Sequence, residues 1–530
     1  MTFLRRAVGA IAVAVSLWAA APAEAQAPTR TFRWAWQGDI ASMDPYARRE
    51  TFTLAFLNHV YEGLVRYNER LEIEPALAVS WEIVEPTRWR FRLRQGVRFH
   101  NGAPFTADDV VFSYERAAAP NAIFRGNISP VRGVEKVDDH TVDLLLYDPN
   151  PILLRGLTDW GIMNRAWAVA NGADRPVEPT RGHDSYAALN ANGTGPFMLR
   201  SREVDVRTVL VRNPNWWDRP QHNIDEVVFR PIGSAATRVA AMLAGELELM
   251  FPVPLQDIAR LQAAPRIRIL QEPELRVIFF AFDVTRDELP DSNVRGRNPL
   301  KDLRVRQAIY HAIDIEAIRR VVMRGASVPV GTLMAREING YDASFDRRLP
   351  YDQAAARRLL GEAGFPQGFE IGLDCPNDRY VNDEQICAAV VGMLARVGIR
   401  VNLSAVPGSQ WIAKLNARQS SFYMLGWAGL PVVDAHHFLS NLYMTPDGRF
   451  GGNNYGGYSS ARVDELTRAI GSELNQQRRQ QMITEAFQIV QNDVATVPLH
   501  RQPLAWAVRE GVRAPQAADN VLRIWTVRMD

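Results

Sequence analysis

The chain has 530 residues, of which 61 are basic and 59 acidic, for a net charge of +2, with 47% apolar and 23% charged residues. One hydrophobic core stops growing near ~250–300 residues, so two or three lobes are expected. Only three basic residues are lysines (Lys136, Lys301, Lys414) and the arginines are scattered, which excludes the basic footprint of a nucleic-acid binder.

The first residues read MTFLRRAVGAIAVAVSLWAAAPAEAQA. Arg5 and Arg6 precede an apolar run from Ala7 to Ala21, and Ala23-Glu24-Ala25 fits a small-residue cleavage pattern. The run falls short of the ~20 residues that span a bilayer. A secretory signal cleaved after Ala25 is expected, and with it export to the periplasm. Gln26 stands where a lipid-anchored protein would need cysteine. Thirteen tryptophans suit either a large core or the walls of an apolar pocket.

Residues 30–36 (RTFRWAW) alternate as a strand, SMDP (42–45) is a polar turn, and 52–64 carry helical spacing. WRFRLRQGVRFHNGAPFTADDVVFSYERA then predicts strand, turn and helix. Thr106 is placed to cap, with Asp109 three residues on, and Ala107, Val110, Val111 and Tyr114 share one helical face. HTVDLLLYD (140–148) is a further strand. NGTGPFMLRSREVDVRTVLVRNPNWW (192–217) gives a glycine turn and two alternating strands. A helix over 235–244 should stop at Gly245.

From about 300 helices dominate. In LRVRQAIYHAID, Val305, Ala308, Ile309, Ala312 and Ile313 line one face, and Asp314 is placed to cap the next helix. FEIGLD, a helix through Arg396, and IRVNL form a β-α-β unit, which predicts parallel strands in an α/β lobe. Cys375 ends that first strand and Cys387 sits early in the helix. In an exported chain the pair is expected to bridge, closing a loop of roughly 13 residues worth ~3 kcal/mol. VPLHRQPLAWAV and VLRIWTVRM return to strand-like alternation at the end.

Marks of hydrolytic chemistry are missing. There is no G-x-S-x-G elbow, no H-E-x-x-H helix, and no lysine three residues after a serine. Gly193-Thr194-Gly195-Pro196 lacks the Lys-Ser/Thr of a phosphate loop and reads as a turn. His100, beside Asn101-Gly102, reads as a turn histidine. In LGWAGLPVVDAHHF (425–438), Trp427 ends a buried-strand pattern, so its ring should emerge where ligands meet α/β strands. Asp434 suits an N-cap, and His436 and His437 diverge by ~100° on a helix, which disfavours a shared metal ion. No metal site and no cofactor are expected.

These blocks resemble the periplasmic solute-binding proteins of peptide-type ABC importers, which bind dipeptides, oligopeptides and, in one branch, nickel chelates. The resemblance covers nearly the whole mature chain. Its most specific stretch is YEGLVRYNERLEIEPALAVSWEI…WRFRLRQGVRFHNGAPFTADDVVFSYER (61–116), followed in order by NGTGPFML, RNPNWW, DLRVRQAIYHAID, YDQAAARRLLGEAGF and the Gly426-Trp427 pair.

The resemblance implies an α/β fold of the type II-like periplasmic-binding-protein kind, with two hinged lobes plus an inserted domain. Domain I would comprise 26–58, 191–277 and 497–530, domain II 59–190, and domain III 278–496. The implied role is capture of a small peptide or peptide-like solute for an ABC permease and ATPase complex in the inner membrane, by a monomer without catalysis of its own. A metal chelate, an opine or a glutathione-like solute is the alternative cargo, and a secreted enzyme the competing class.

By the same resemblance, Trp411 and Trp427 match tryptophans of oligopeptide pockets. Phe124 falls near an aromatic pocket position, and Arg49 to Thr51 lie near a strip that touches ligand. Peptide-binding members carry an aspartate three residues after the position of Trp427, where it pairs with the α-amino group. Here that residue is Leu430, and Asp434 could substitute only through a shifted loop. Asp434-Ala435-His436 is similar to a segment of the nickel-chelate branch, but that branch's ligand-contacting histidine falls near Asp447 here.

Overall fold

The computed structural model describes residues 29–48, 50–176 and 185–530. The expected signal segment and Arg49 lie outside the described residues. One sheet of 11 strands runs through the molecule. Along its main path the order is Ile399–Val406, Phe369–Pro376, Phe422–Trp427, Ile267–Phe282, Thr496–Arg509, Leu249–Met250, Thr31–Trp36, Glu226–Pro231, Arg207–Arg212 and Phe197–Glu203. The strands Phe369–Pro376 and Ile399–Val406 are parallel, as their crossover helix Asp383–Ala395 requires. Cys375 and Cys387 form the expected disulfide. No helix among the described residues is long and apolar enough to cross a membrane.

A separate four-stranded sheet lies between the first and later strands of the large one in sequence. Its order is Ala78–Glu85, Arg88–Leu93, Thr141–Leu146, Val131–Asp138. The helix Ala107–Ala117 belongs to the same region and starts with the capping box read from Thr106 and Asp109, whose Oδ2 accepts the Thr106 N–H at 3.0 Å. That helix also buries Arg116, which the apolar spacing did not foresee. Arg116 forms a buried ion pair with Asp44 (Nη1–Oδ1 2.7 Å, Nη2–Oδ2 2.5 Å).

The feature that places the site is the pairing of the two longest strands. Ile267 to Pro273 pair with Arg509 to Pro503, and pairing resumes from Val277, opposite Arg501. Pro273 faces Pro503 at the break, and neither ring nitrogen can donate to the ladder. The freed backbone is satisfied from the side instead. Arg501 donates to the carbonyls of Glu274 (Nε, 2.9 Å) and Pro273 (Nη2, 3.0 Å), and Gln502 Nε2 donates to Glu274 Oε2 at 2.7 Å. Apolar clusters lie to either side, one on Phe279, Phe422 and Phe487, the other on Phe32, Trp34, Phe91 and Trp160.

Two details depart from expectation. Residues 521–529 are a loop with a short 3-10 turn (Ile524–Thr526) and only Arg528–Met529 in a strand. The alternation is there, but Ile524 N–H goes to His59 Nε2 (3.1 Å) and Met529 N–H to Asn223 Oδ1 (2.9 Å), so no ladder forms along it. Val111 is only half-buried, and Ser113 and Ala117 take core positions on that helix instead.

Candidate functional site

Where the long strands part, a cleft opens as three linked cavities of about 60, 160 and 420 Å³. The first and second share Thr51, Ala55, Leu430, Asp519 and Val521. The second and third share Trp36, Phe251, Glu274, Arg276 and Asn520. Its walls therefore come from both sides of the strand break, at a size suited to a small ligand.

The middle of the cleft is aromatic. Trp36 ends the strand Thr31–Trp36, whose inward residues Phe32 and Trp34 are buried, so its ring leaves the core at the strand's C-terminal end. It stacks on Phe52, with ring centroids 3.7 Å apart. Phe251 stacks between Trp34 and Trp506. Leu430 closes the opposite wall. Its loop turns at Gly429, where φ is 72° and an added Cβ would come within 2.5 Å of the Phe438 ring.

The largest of the three carries two guanidiniums, Arg276 and Arg379, with Glu274 and Asp378 also in its lining. Arg379 and Tyr380 follow the strand Phe369–Pro376 and line it. Arg379 Nε donates to Tyr380 Oη (3.2 Å), and its guanidinium lies 5.5 Å from the ring centroids of Tyr380 and Trp411. No carboxylate pairs with it among the described residues. Arg276 reaches Glu274 at 3.5 Å, and Glu274 is already engaged by Gln502. Two guanidiniums thus line one cavity together with the carboxylates of Glu274 and Asp378. Asp378 accepts the Gly408 N–H at 2.7 Å and makes no ion pair with Arg379, whose fork is therefore free to meet a carboxylate or other planar anion.

The smallest cavity carries carboxylates. Asp519 is gripped by Arg523 (Nη2–Oδ2 2.6 Å). Glu62 accepts from Thr194 and from the indoles of Trp216 and Trp217. Burial raises the Glu62 carboxyl above its ordinary value, partly opposed by those bonds. Asp159 accepts from Asn58 Nδ2 at 3.1 Å.

The residues singled out from the sequence are spread unevenly about this cleft. Thr51 lines two of its cavities. Trp427 is half-buried at the end of its strand, its ring stacked on His437 at 5.5 Å, outside the cavity walls but three residues before Leu430. Trp411 is 1% exposed and packs edge-on behind Tyr380, so it backs the wall without forming it. Phe124 is wholly buried against Tyr46.

Asp434 is also wholly buried and lines none of the three cavities. It caps the helix Ala435–Phe438 through His436 N–H (2.8 Å) and binds Arg479 (Nη2–Oδ1 2.6 Å) and Asn339 (Nδ2–Oδ2 2.6 Å). Burial alone would raise its pKa, yet the Arg479 charge and these bonds hold it below the ordinary carboxylate value. The turn at Gly193 and Gly195 packs on the backbone of His59 and Val60, where a Cβ at Gly193 would collide with the Val60 carbonyl oxygen. His100 is satisfied there by Gly195 O (3.1 Å) and Gly193 N–H (3.3 Å).

Reading the sequence alone missed Trp36, Arg276, Arg379, Tyr380 and Asp159. A usable signal existed for Arg379 and Tyr380, which lie just beyond the carboxyl end of a parallel strand, where α/β sheets hold ligands.

The family model for bacterial extracellular solute-binding proteins, family 5 Middle, matches residues 72–449. Heme-binding protein A of Haemophilus influenzae is 27% identical over 489 residues, covering 87% of this chain and 85% of its own. The dipeptide-binding protein of Escherichia coli is 28% identical over 464 residues, covering 82% of each. The solved structure of HbpA2 from Haemophilus parasuis superposes with a TM-score of 0.80 at 22% identity, covering 94% of this chain and all of that one. The last likeness concerns the fold.

Proposed function

This chain belongs to the bacterial extracellular solute-binding proteins, family 5, the non-catalytic receptors of ABC importers, and we propose that it captures a peptide or peptide-like solute in the cleft at the strand break. The lobes would be those implied by the sequence: domain I from 26–58, 191–277 and 497–530, domain II from 59–190, domain III from 278–496. The break at Pro273 and Pro503 supports a hinge there, because an unpaired stretch of two strands bends more readily than a paired one. Closure would present the loaded form to the permease and ATPase complex of the inner membrane. The periplasm, reached through a signal cleaved after Ala25, is the matching compartment.

The observation that carries the ligand class is the combination of a stacked aromatic middle with Arg379, which has no carboxylate partner among the described residues, at one end. An apolar body ending in a carboxylate satisfies both, and a peptide is such a body. Thr51 and Trp427 would contribute at the rim, and Trp411 through Tyr380 and Arg379. Leu430, in place of an acidic residue, supports a second reading in which the same receptor takes a non-peptide solute. Calorimetric titration of ligand-stripped protein with di- and tripeptides, glutathione, heme and nickel–histidine decides between them. Saturable binding of peptide or glutathione, weakened by Arg379→Gln, is the expected result. Binding of heme or nickel–histidine alone would overturn the peptide reading.

A further inference from the structure

We propose that Asp159 receives the ligand's ammonium group in the small cavity that it lines together with Leu430. Three carboxylates line the small cavity: Glu62, Asp159 and Asp519. Both Asp519 oxygens are held by Arg523, at 3.1 and 2.6 Å. Glu62 has one oxygen on Trp216 and the other on Trp217 and Thr194. The cations of that cavity are likewise taken, Arg66 by Glu74 and Asp218, and Arg523 by Asp519. Asp159 alone meets only a neutral amide, Asn58, which engages a single oxygen.

The group is also held in place. Trp160, its neighbour, is fully buried, and the next carbonyl, Gly161 O, accepts the Tyr46 hydroxyl at 2.7 Å. Ile162 N–H donates to Glu62 O at 2.9 Å. This carboxylate, half-buried at the cavity wall, forms no ion pair among the described residues, and the cation acting on it, Arg523, is committed to Asp519. Burial, with the Asp519 charge adding to it, raises its pKa, and the Asn58 bond and the Arg523 charge offset only part of that. A primary ammonium restores what burial removed, through a charge-assisted hydrogen bond at low dielectric. Leu430 then faces the same ligand as an apolar wall and needs no charge.

This inference rests on the peptide-like reading of the cleft and names the chemistry of its other end. The ligand would carry an ammonium toward Asp159 and a carboxylate toward Arg379, with an apolar body across Trp36 and Leu430.

The test uses the mature protein stripped of ligand by partial unfolding and refolding. It is incubated with a pool of unmodified di- to tetrapeptides and with the same pool N-acetylated, and retained peptides are quantified by mass spectrometry. Wild type should favour the unmodified pool about tenfold or more. Asp159→Asn, which keeps shape and the Asn58 contact, and Asp159→Ser should erase that preference while acetylated peptides bind as before. The ratio within one variant is insensitive to a general loss of stability. An unaltered ratio in both variants, or no preference in wild type, overturns the role of Asp159 and leaves the peptide reading standing. Retention of neither pool overturns both.

Discussion

Arg479 grips Asp434 in an ion pair whose side chains are 7% and 0% exposed, with Nη2–Oδ1 at 2.6 Å and Nη1–Oδ2 at 3.1 Å. The pair fixes the start of the helix after the cleft loop, and through Asn339 ties that loop to the 339–340 turn. Arg479→Met leaves a buried carboxylate without its cation, which costs ~3–5 kcal/mol. A urea unfolding curve at pH 7 should show this loss, and a smaller one at low pH as Asp434 takes up a proton. Loss of ligand binding without loss of stability would make Asp434 a ligand group after all.

Tyr67 Oη lies 3.1 Å from the carbonyl oxygens of both Pro431 and Val432, and Arg155 Nη1 lies 3.3 Å from that of Val433. The Tyr67 contacts join the small hairpin Val65–Tyr67/Ile73–Pro75 to the loop carrying Leu430, and Arg155 joins the helix Leu153–Gly156 to the same loop. Under the proposed closure they are made as the two walls meet, and they then strengthen binding of any ligand equally. Tyr67→Phe should weaken two unlike ligands by the same factor, about fivefold for one hydrogen bond of ~1 kcal/mol. Unequal losses in calorimetry would mean that Tyr67 touches ligand itself.

His59 stands behind the aromatic middle of the cleft as a neutral ring. Nδ1 faces Phe56 O at 2.8 Å, and Nε2 receives the Ile524 N–H at 3.1 Å. Burial lowers its pKa to about 4, and that of His500 to about 3. In the unfolded chain both titrate near ~6.5, so between that value and the folded one the unfolded state binds more protons. Stability therefore falls as pH drops through this window, by about 1.4 kcal/mol per pH unit for each histidine, and levels off for His59 below about 4. Equilibrium unfolding from pH 7 to 4 checks the slope, which His59→Gln should reduce. A flat profile would contradict the buried neutral state.

The disulfide between Cys375 and Cys387 ties the end of one strand to the helix beneath Arg379 and Tyr380. Cys387→Ser should cost ~3 kcal/mol by freeing a loop of that length in the unfolded state. A lowered urea midpoint with ligand affinity within twofold of wild type is expected, since neither sulfur lines the cleft. An unchanged midpoint would show that the loop is held by its other contacts.

Local devices were legible in the sequence because their partners are near in the chain. Thr106 and Asp109 cap their helix, Gly245 ends one at φ 84°, Asp314 caps another through Ala317 N–H, and the cysteines pair as spaced. What stayed hidden depends on partners far apart. Pro273 meets Pro503 and Arg116 meets Asp44, and nothing local in either segment announces the other. Trp411 reads as a pocket residue, but Tyr380 and Arg379 stand in front of it, and Asp434 reads as available until Arg479 is placed beside it. Asp159 carries no motif at all. Its significance lies in the partners its neighbours have and it lacks.

The most direct measurement is the identity of the molecule that the mature protein carries from its own compartment, released by gentle denaturation and read by mass spectrometry. A peptide-like solute with a free ammonium at one end and a carboxylate at the other is expected, matched to Asp159 and Arg379 across the aromatic middle of the cleft. A heme, a metal chelate without a free amine, or an uncharged solute would contradict it.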